Sequence, residues 1–367
     1  MREAEAAALL VMAIPSYGRR ARALAQAGSA TQLLSDPEEL SPVLGDALGA
    51  LTQAVRRADA LLEDLRREQI ELIAPGDEGW PASLSEISNP PHVLFCKGKA
   101  NLCDPLALGA VGTRDASPYG LRQARRIAAE LAATGCCVVS GLALGIDAAC
   151  HEGALDAHGR TVAVLGGAHD RFYPRENRPL MERILEGGGS VISEYPPGTR
   201  PSRYSFLHRN RIIAGMTRGV LIVEGKMRSG AMNTAHAALD AGRDVFALPG
   251  NVDEPRSALP NRLIADGAAL VCCGDDILGA LGMERPQRES PPALPEKPRR
   301  AQIPATLGDA ERAICKAILP DGADFDVLCA AMGMDAEMLG TLLVEMEMDG
   351  YVETLPGNRI GPGEALG

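Results

Sequence analysis

From residue 106 to residue 281, short apolar runs alternate with segments of helical spacing. This alternation restricts the fold more than any other feature of the chain. The runs fall at residues 106–111, 137–140, 162–165, 190–193, 219–224, 245–248 and 269–272. Helical periodicity fills about 117–134, 145–157, 176–187, 206–216, 230–241, 260–266 and 275–281. The run Val220-Leu221-Ile222-Val223 is apolar without interruption, which suits a strand covered on both faces; a half-exposed strand would alternate. Strands and helices of these lengths in alternation make right-handed β-α-β units. They predict an α/β fold with a doubly wound parallel sheet, and ligands of such sheets bind beyond the carboxyl ends of the strands.

The rest of the chain divides around this region. Residues 1–75 are rich in Ala, Leu and Arg, with helical periodicity and no strand pattern. They predict an all-helical domain in which a helix, a tight turn at Pro15 to Gly18 and a second helix from about Arg19 follow one another. The layout is that of a helix-hairpin-helix (SAM-like) element, which either packs or grips a DNA backbone through its turn amides. The usual Gly-x-Gly turn is missing, since Ser16 and Tyr17 precede Gly18. A loop at 76–81 leads to a strand at 93–97, so the α/β domain is placed at 76–285. Residues 286–305 hold six prolines and read as an extended linker. Residues 306–367 predict three helices and a β-ribbon opened by Asp349-Gly350, the order of a winged-helix domain.

Charge is distributed unevenly. The net charge of the 367-residue chain is -11, which argues against a polyanionic partner until it is counted by segment. Residues 306–367 carry 3 basic and 12 acidic groups, whereas residues 76–283 carry 21 and 22. Within the latter, residues 199–233 hold Arg200, Arg203, Arg209, Arg211, Arg218, Lys226 and Arg228 against a single acid, Glu224. Local potential, not net charge, decides where a polyanion docks. No run of about 18 apolar residues is present, so no membrane span is expected. The nine cysteines form no Cys-x-x-Cys motif; they read as reduced, mostly buried thiols of a cytosolic protein, without zinc or disulfides.

Four strand ends carry small or polar residues: Gly112-Thr113-Arg114, Ser140-Gly141, Gly166-Gly167 (with Arg175 beyond) and Ser229-Gly230. Glycine permits close backbone approach, and helix N-termini present free N–H groups to phosphate. With Arg203, Arg209, Asn210 and Arg211, these loops predict an anion site on one sheet edge. Arg114, Arg175, Arg203, Arg209 and Arg211 are expected to line one pocket, with the alternative that Arg211 braces the fold. Phe206, three residues before Arg209, either stacks on a base or packs under its helix. No Gly-x-Gly-x-x-Gly fingerprint, Walker motif or Gly-x-Ser-x-Gly elbow occurs. His151 reads as a packed histidine, and Asp147 as a helix cap or an arginine partner.

The segments VGTRDASPYG, SGLALGIDAACHEGAL, TVAVLGGAHDRFYP, ISEYPPG, FLHRNRIIAG, VEGKMRSGAMNTA and GRDVFALPGN, in this order, resemble the DNA-processing protein A family (DprA, also called Smf) over roughly 76–283. The resemblance implies an extended Rossmann-like domain that binds single-stranded DNA without a cofactor. It also implies loading of a RecA-type recombinase, a role in natural transformation and homologous recombination, a homodimer formed through that domain, and no enzymatic activity. The chain departs from the family pattern at Leu207, where the family has proline, and at Cys150 and Asn233. The competing expectation is a nucleotide phosphoribohydrolase-like enzyme. Its Pro-Gly-Gly-x-Gly-Thr motif and following glutamate are absent from the corresponding stretch, Lys226 to Thr234. The tail makes a separate point. Its third helix carries Asp335, Glu337, Glu345, Glu347 and Asp349 and no basic residue, which suits protein contacts, or restraint of the basic pocket in cis, rather than a duplex backbone.

Overall fold

The computed structural model describes residues 1–283, 304, 307–318, 322–355 and 359–363, so the proline-rich linker expected at 286–305 lies outside the described residues apart from Pro304. The chain divides into two units, Met1–Pro286 and Gln287–Gly367.

The first unit opens with six helices: α1 (Glu3–Ala13), α2 (Tyr17–Ala27), α3 (Ala30–Ser35), α4 (Ser41–Leu44), α5 (Ala47–Arg56) and α6 (Ala58–Arg67). Ser16 caps α2 by accepting from the Arg19 amide, so the helix starts two residues earlier than the turn at Pro15 to Gly18 suggested. Leu10, Leu33, Leu44 and Leu51 close a helical core that also takes in Leu72, Val93 and Phe95, so these helices are packed onto the edge of the sheet.

The sheet has nine strands: β1 (Glu71–Ile73), β2 (Leu94–Gly98), β3 (Ala107–Val111), β4 (Cys137–Ser140), β5 (Thr161–Val164), β6 (Ser190–Ser193), β7 (Gly219–Ile222), β8 (Asp244–Ala247) and β9 (Ala269–Leu270). Their order is β1-β2-β6-β5-β4-β3-β7-β8-β9. Strands β3 to β9 run parallel, as the alternation predicts. The sheet is nevertheless mixed, because β2 pairs antiparallel with β6 and β1 antiparallel with β2. Strand β1 lies where no strand pattern was visible. Three residues, one exposed and two buried, are too few to display a period.

Between the strands run α7 (Pro118–Ala133), α8 (Ile146–Asp156), α9 (Arg178–Glu186), α10 (Arg203–Met216), α11 (Gly230–Asp240), α12 (Ala258–Ala265) and α13 (Gly274–Ala280). Alternate strand residues explain the uninterrupted apolar runs. Val220 and Ile222 join one core with Ile212 and Ile213 of α10 and Ala235 of α11. Leu221 and Val223 join the opposite core with Ile127 of α7 and Ala149 of α8. Helix α10 begins three residues before the expected position 206. Ser202 and Ser205 form a reciprocal capping box there, with the Ser205 amide donating to Ser202 Oγ at 3.1 Å and the Ser202 amide to Ser205 Oγ at 2.8 Å.

The second unit contains α14 (Asp309–Ile318), α15 (Phe325–Met332) and α16 (Ala336–Met348), with β10 (Ala323–Asp324), β11 (Val352–Leu355) and β12 (Arg359–Pro362) in one antiparallel sheet. Ile314, Leu328, Leu339, Leu343 and Met346 form its core. This is the helix and ribbon order of a winged helix. Among the described residues no single helix is long and apolar enough to cross a membrane.

Candidate functional site

From β3 the chain moves to β4, β5 and β6 on one side, while β7, β8 and β9 lie on the other. Neighbouring strands whose connections depart in opposite directions leave a crevice beyond their carboxyl ends. An open cleft of about 800 Å³ occupies this place. It is bounded by Gly112, Thr113, Arg114 and Asp115 after β3, by Arg203, Phe206, Leu207, Arg209 and Asn210 of α10, and by residues 227–234 at the start of α11.

The floor of the cleft is organised by buried charge. Asp147, at the start of α8, is buried, and its carboxylate accepts from the Gly141 amide at 3.1 Å and the Gly112 amide at 3.4 Å. It therefore ties together the loops that follow β3 and β4. Burial pushes its pKa above the ordinary carboxylate value, while Arg209 and the amides pull the other way. Arg209 is only 4% exposed. It donates to the Val164 carbonyl and, at 3.1 Å, to Asn210 Oδ1. Burial pushes its pKa down to about 10, against the opposing charge of Asp147. The guanidinium lies directly on Gly141: a Cβ there would stand 2.1 Å from a guanidinium nitrogen, so any side chain at this position would displace it.

The wall is set by α10 and α11. Ser205 Oγ donates to the Gly166 carbonyl at 2.5 Å, and the Phe206 ring packs so closely that a Cβ on Gly166 would lie 2.6 Å from it. Gly167 similarly receives Pro201. The Arg114 guanidinium lies over the half-buried Phe206 ring, 4.9 Å from its centroid. Asn210 Nδ2 donates to the Gly230 carbonyl at 3.2 Å, which fixes the start of α11. Ser229 is the N-cap of that helix, but its side chain caps nothing and its Oγ is buried without a partner among the described residues. The first-turn amides of α11 are thus left for an anion.

The expected residues separate into groups. Arg114, Arg203 and Arg209 line the cleft, joined by Arg228 of the basic stretch. Arg114, Arg203 and Arg228 are exposed and have no ion-pair partner among the described residues. Arg175 is exposed in the short turn Arg175–Asn177, and it does not line the cleft. Arg211 does not either. It donates to Glu194, so the bracing alternative is the one that its position supports. Glu194 is buried at the end of β6; burial raises its pKa, but His208 and Arg211 more than offset this and hold it below the ordinary value. Ser140 is fully buried, its Oγ donating to the Ala110 carbonyl at 2.6 Å, so it acts inside the sheet. Glu224, the single acid of the basic stretch, turns away to accept from the Ser117 amide at 2.9 Å and the Ser117 hydroxyl at 2.5 Å. Glu194 carries no recognisable motif in the sequence. Its only signal was an acid immediately after a strand, in ISEYPPG.

Fold and cleft together define a class: a doubly wound α/β protein with an arginine-lined crevice at its switch point, joined to a winged-helix module. Comparison with known proteins narrows this. The family model described as DNA recombination-mediator protein A matches residues 71–282, and that of the DprA winged helix domain matches residues 296–358. The putative DNA processing protein DprA of Mycobacterium tuberculosis is 38% identical over 344 residues, covering 88% of this chain and 86% of its own length. Protein Smf of Escherichia coli is 35% identical over 301 residues, covering 81% and 78%. Among solved structures, DNA processing protein A from Streptococcus pneumoniae superposes with a TM-score of 0.65 at 33% identity, over 76% of this chain and 98% of that one. DNA processing protein A from Helicobacter pylori, described with its single-stranded DNA binding mode, gives a TM-score of 0.52 at 30% identity, over 58% and 95%. The chain belongs to the DNA recombination-mediator protein A family.

Proposed function

We propose that the protein binds single-stranded DNA in the switch-point cleft and acts as a non-catalytic, cytoplasmic recombination mediator. In this reading it protects incoming or recombining strands and hands them to a RecA-type recombinase during natural transformation and homologous recombination. It works as a homodimer formed through the Rossmann-like domain. The observation that carries the reading is the cleft itself: three exposed guanidiniums, Arg114, Arg203 and Arg228, without ion-pair partners among the described residues, around the uncapped start of α11. Phosphates satisfy both the charges and the amides. The structure of the Helicobacter pylori relative, described with its single-stranded DNA binding mode, supports the same ligand here.

Two carboxylates near the cleft are already engaged, which supports a binding role over a hydrolytic one. Asp147 accepts two backbone amides, and Asp115 pairs with Arg256 at 3.1 Å and Lys226 at 3.8 Å. The test is anisotropy titration of the full chain with labelled oligo-dT and with a duplex of equal length. Preferential oligo-dT binding that supports displacement of a single-strand-binding protein by the recombinase is expected. Absence of single-strand binding, or release of base from a nucleoside monophosphate, would overturn the reading.

A further inference from the structure

We propose that Tyr204, backed by His208, forms a second site for an unpaired nucleobase, beside the cleft and distinct from it; this rests on the single-strand reading above. Tyr204 is 73% exposed, more than any other Phe, Tyr or Trp among the described residues. Exposure alone means little, but this ring is held. It lies parallel to the His208 imidazole, with centroids 5.6 Å apart and planes at 15°. The two residues are four apart on α10, the spacing that places side chains on one helix face.

The imidazole is fixed in turn from both nitrogens. His208 Nδ1 lies 3.0 Å from Glu194 Oε1 and 3.5 Å from the Tyr195 hydroxyl, and the Arg211 Nε donates to Nε2 at 3.3 Å. Glu194 is 8% exposed and also receives Arg211, so the base of the stack is anchored in the fold. The result is an exposed ring with an ordered orientation, which loses little freedom when a base settles on it.

Its position fits a strand leaving the cleft. Tyr204 follows Arg203, a cleft residue, and one step along a helix turns the side chain by about 100°. Arg200 and Arg203, both exposed and without ion-pair partners among the described residues, precede the ring. Guanidiniums beside an aromatic face are the pairing that single strands require, phosphate on one and base on the other. Phe206 is less available for this, since Arg114 already covers its ring and Gly166 meets its edge. Stacking on tyrosine is indifferent to base identity, so the ligand is any unpaired base.

The experiment uses the full chain with labelled oligo-dT and with an abasic deoxyribose-phosphate oligomer of equal length. Tyr204→Ala is expected to weaken oligo-dT binding by about 5- to 160-fold, the range of one aromatic–base stack, and to leave the abasic oligomer unaffected. Tyr204→Trp should keep the affinity and be quenched by oligo-dT, against a constant background from Trp80, which is 5% exposed. Unchanged oligo-dT affinity in Tyr204→Ala, or equal weakening toward both oligomers, overturns the stacking site alone. Failure of the wild-type chain to bind either oligomer removes the single-strand reading itself.

Discussion

The salt dependence of binding separates arginines that meet phosphate from those that build the cleft. Three exposed guanidiniums line it, at Arg114, Arg203 and Arg228. Each phosphate contact on a single strand contributes about 0.7 to the slope of log affinity against log salt, so the wild-type slope is expected near about -2. Raising salt from about 50 to 200 mM then costs roughly 20-fold in affinity. Arg203→Ala removes one contact, so its slope should be about -1.4 and the same salt step should cost roughly 7-fold. Arg209→Ala should behave differently. That guanidinium is buried, donates to Val164 and Asn210, and faces Asp147. Removing it leaves the Val164 carbonyl and Asn210 Oδ1 without their donor and buried Asp147 without its opposing charge, changes that together cost about 3–5 kcal/mol. At about 2–4 °C per kcal/mol the melting temperature should fall by roughly 6–20 °C, while the slope measured on folded protein stays near about -2. Anisotropy titrations with oligo-dT at four salt concentrations, together with melting curves, provide both readouts. If Arg209→Ala lowers the slope as much as Arg203→Ala does and melts like the wild type, the assignment of these two arginines is wrong. A wild-type slope near about -3.5 would mean about five phosphate contacts, more than the three exposed guanidiniums of the cleft supply.

Three further outcomes follow from other parts of the molecule. Gly166→Ala places a Cβ 2.6 Å from the Phe206 ring and 3.2 Å from its Cα; it should cost about 1–3 kcal/mol in denaturant unfolding and weaken oligo-dT binding by displacing Arg114, and unchanged values in both would refute the packing argument. Burial pushes the pKa of His151 down to about 3 and that of His169 down to about 4, so both stay neutral in the fold while the unfolded chain takes up protons below about 6.5. Stability is then complete above about pH 6.5 and falls on acidification by up to about 2.7 kcal/mol per pH unit from these two groups, and a flat profile between pH 6 and pH 5 would contradict it. Removing residues 306–367, which carry 3 basic and 12 acidic groups, should leave single-strand affinity unchanged or raise it, and a tenfold loss would show that the winged helix contributes to binding.

The parallel part of the sheet was legible because its strands are covered on both faces, and a two-sided apolar run such as Val220 to Val223 has few other interpretations. The edge was not legible. Strand β1 has three residues, and its direction depends on pairing with β2, a long-range contact that leaves no local pattern. The start of α10 was readable in principle from Ser202, whose side chain replaces the missing helical acceptor for the Ser205 amide. Asp147 was open to two readings, and its geometry explains why. It sits in the first turn of α8, but spends its carboxylate on amides from two other loops. Glu194 was invisible because its partners, His208 and Arg211, are 14 and 17 residues away and meet it only when α10 folds against β6.

A count of charge along a segment overstates what that segment offers a ligand, and α10 shows the reason. A helix turns by about 100° per residue, so neighbouring arginines cannot share a face. Residues 203, 206, 207 and 210 return to one side and line the cleft, whereas Tyr204, His208 and Arg211 lie on the next side, where Glu194 waits. Arg209 points inward with Ile212 and Ile213, and its charge is answered by Asp147. Beyond the helix, Lys226 stands 3.8 Å from Asp115, and Arg218 precedes β7, at the end of the strand opposite the cleft. Of the seven positive side chains between Thr199 and Asn233, Arg203 and Arg228 therefore reach the cleft without an ion-pair partner among the described residues, and Arg114 joins them from a distant loop. The binding potential is what remains after internal pairing. It is assembled at the switch point by three separate strand-to-helix connections, which is why an acidic chain can present a cationic cleft.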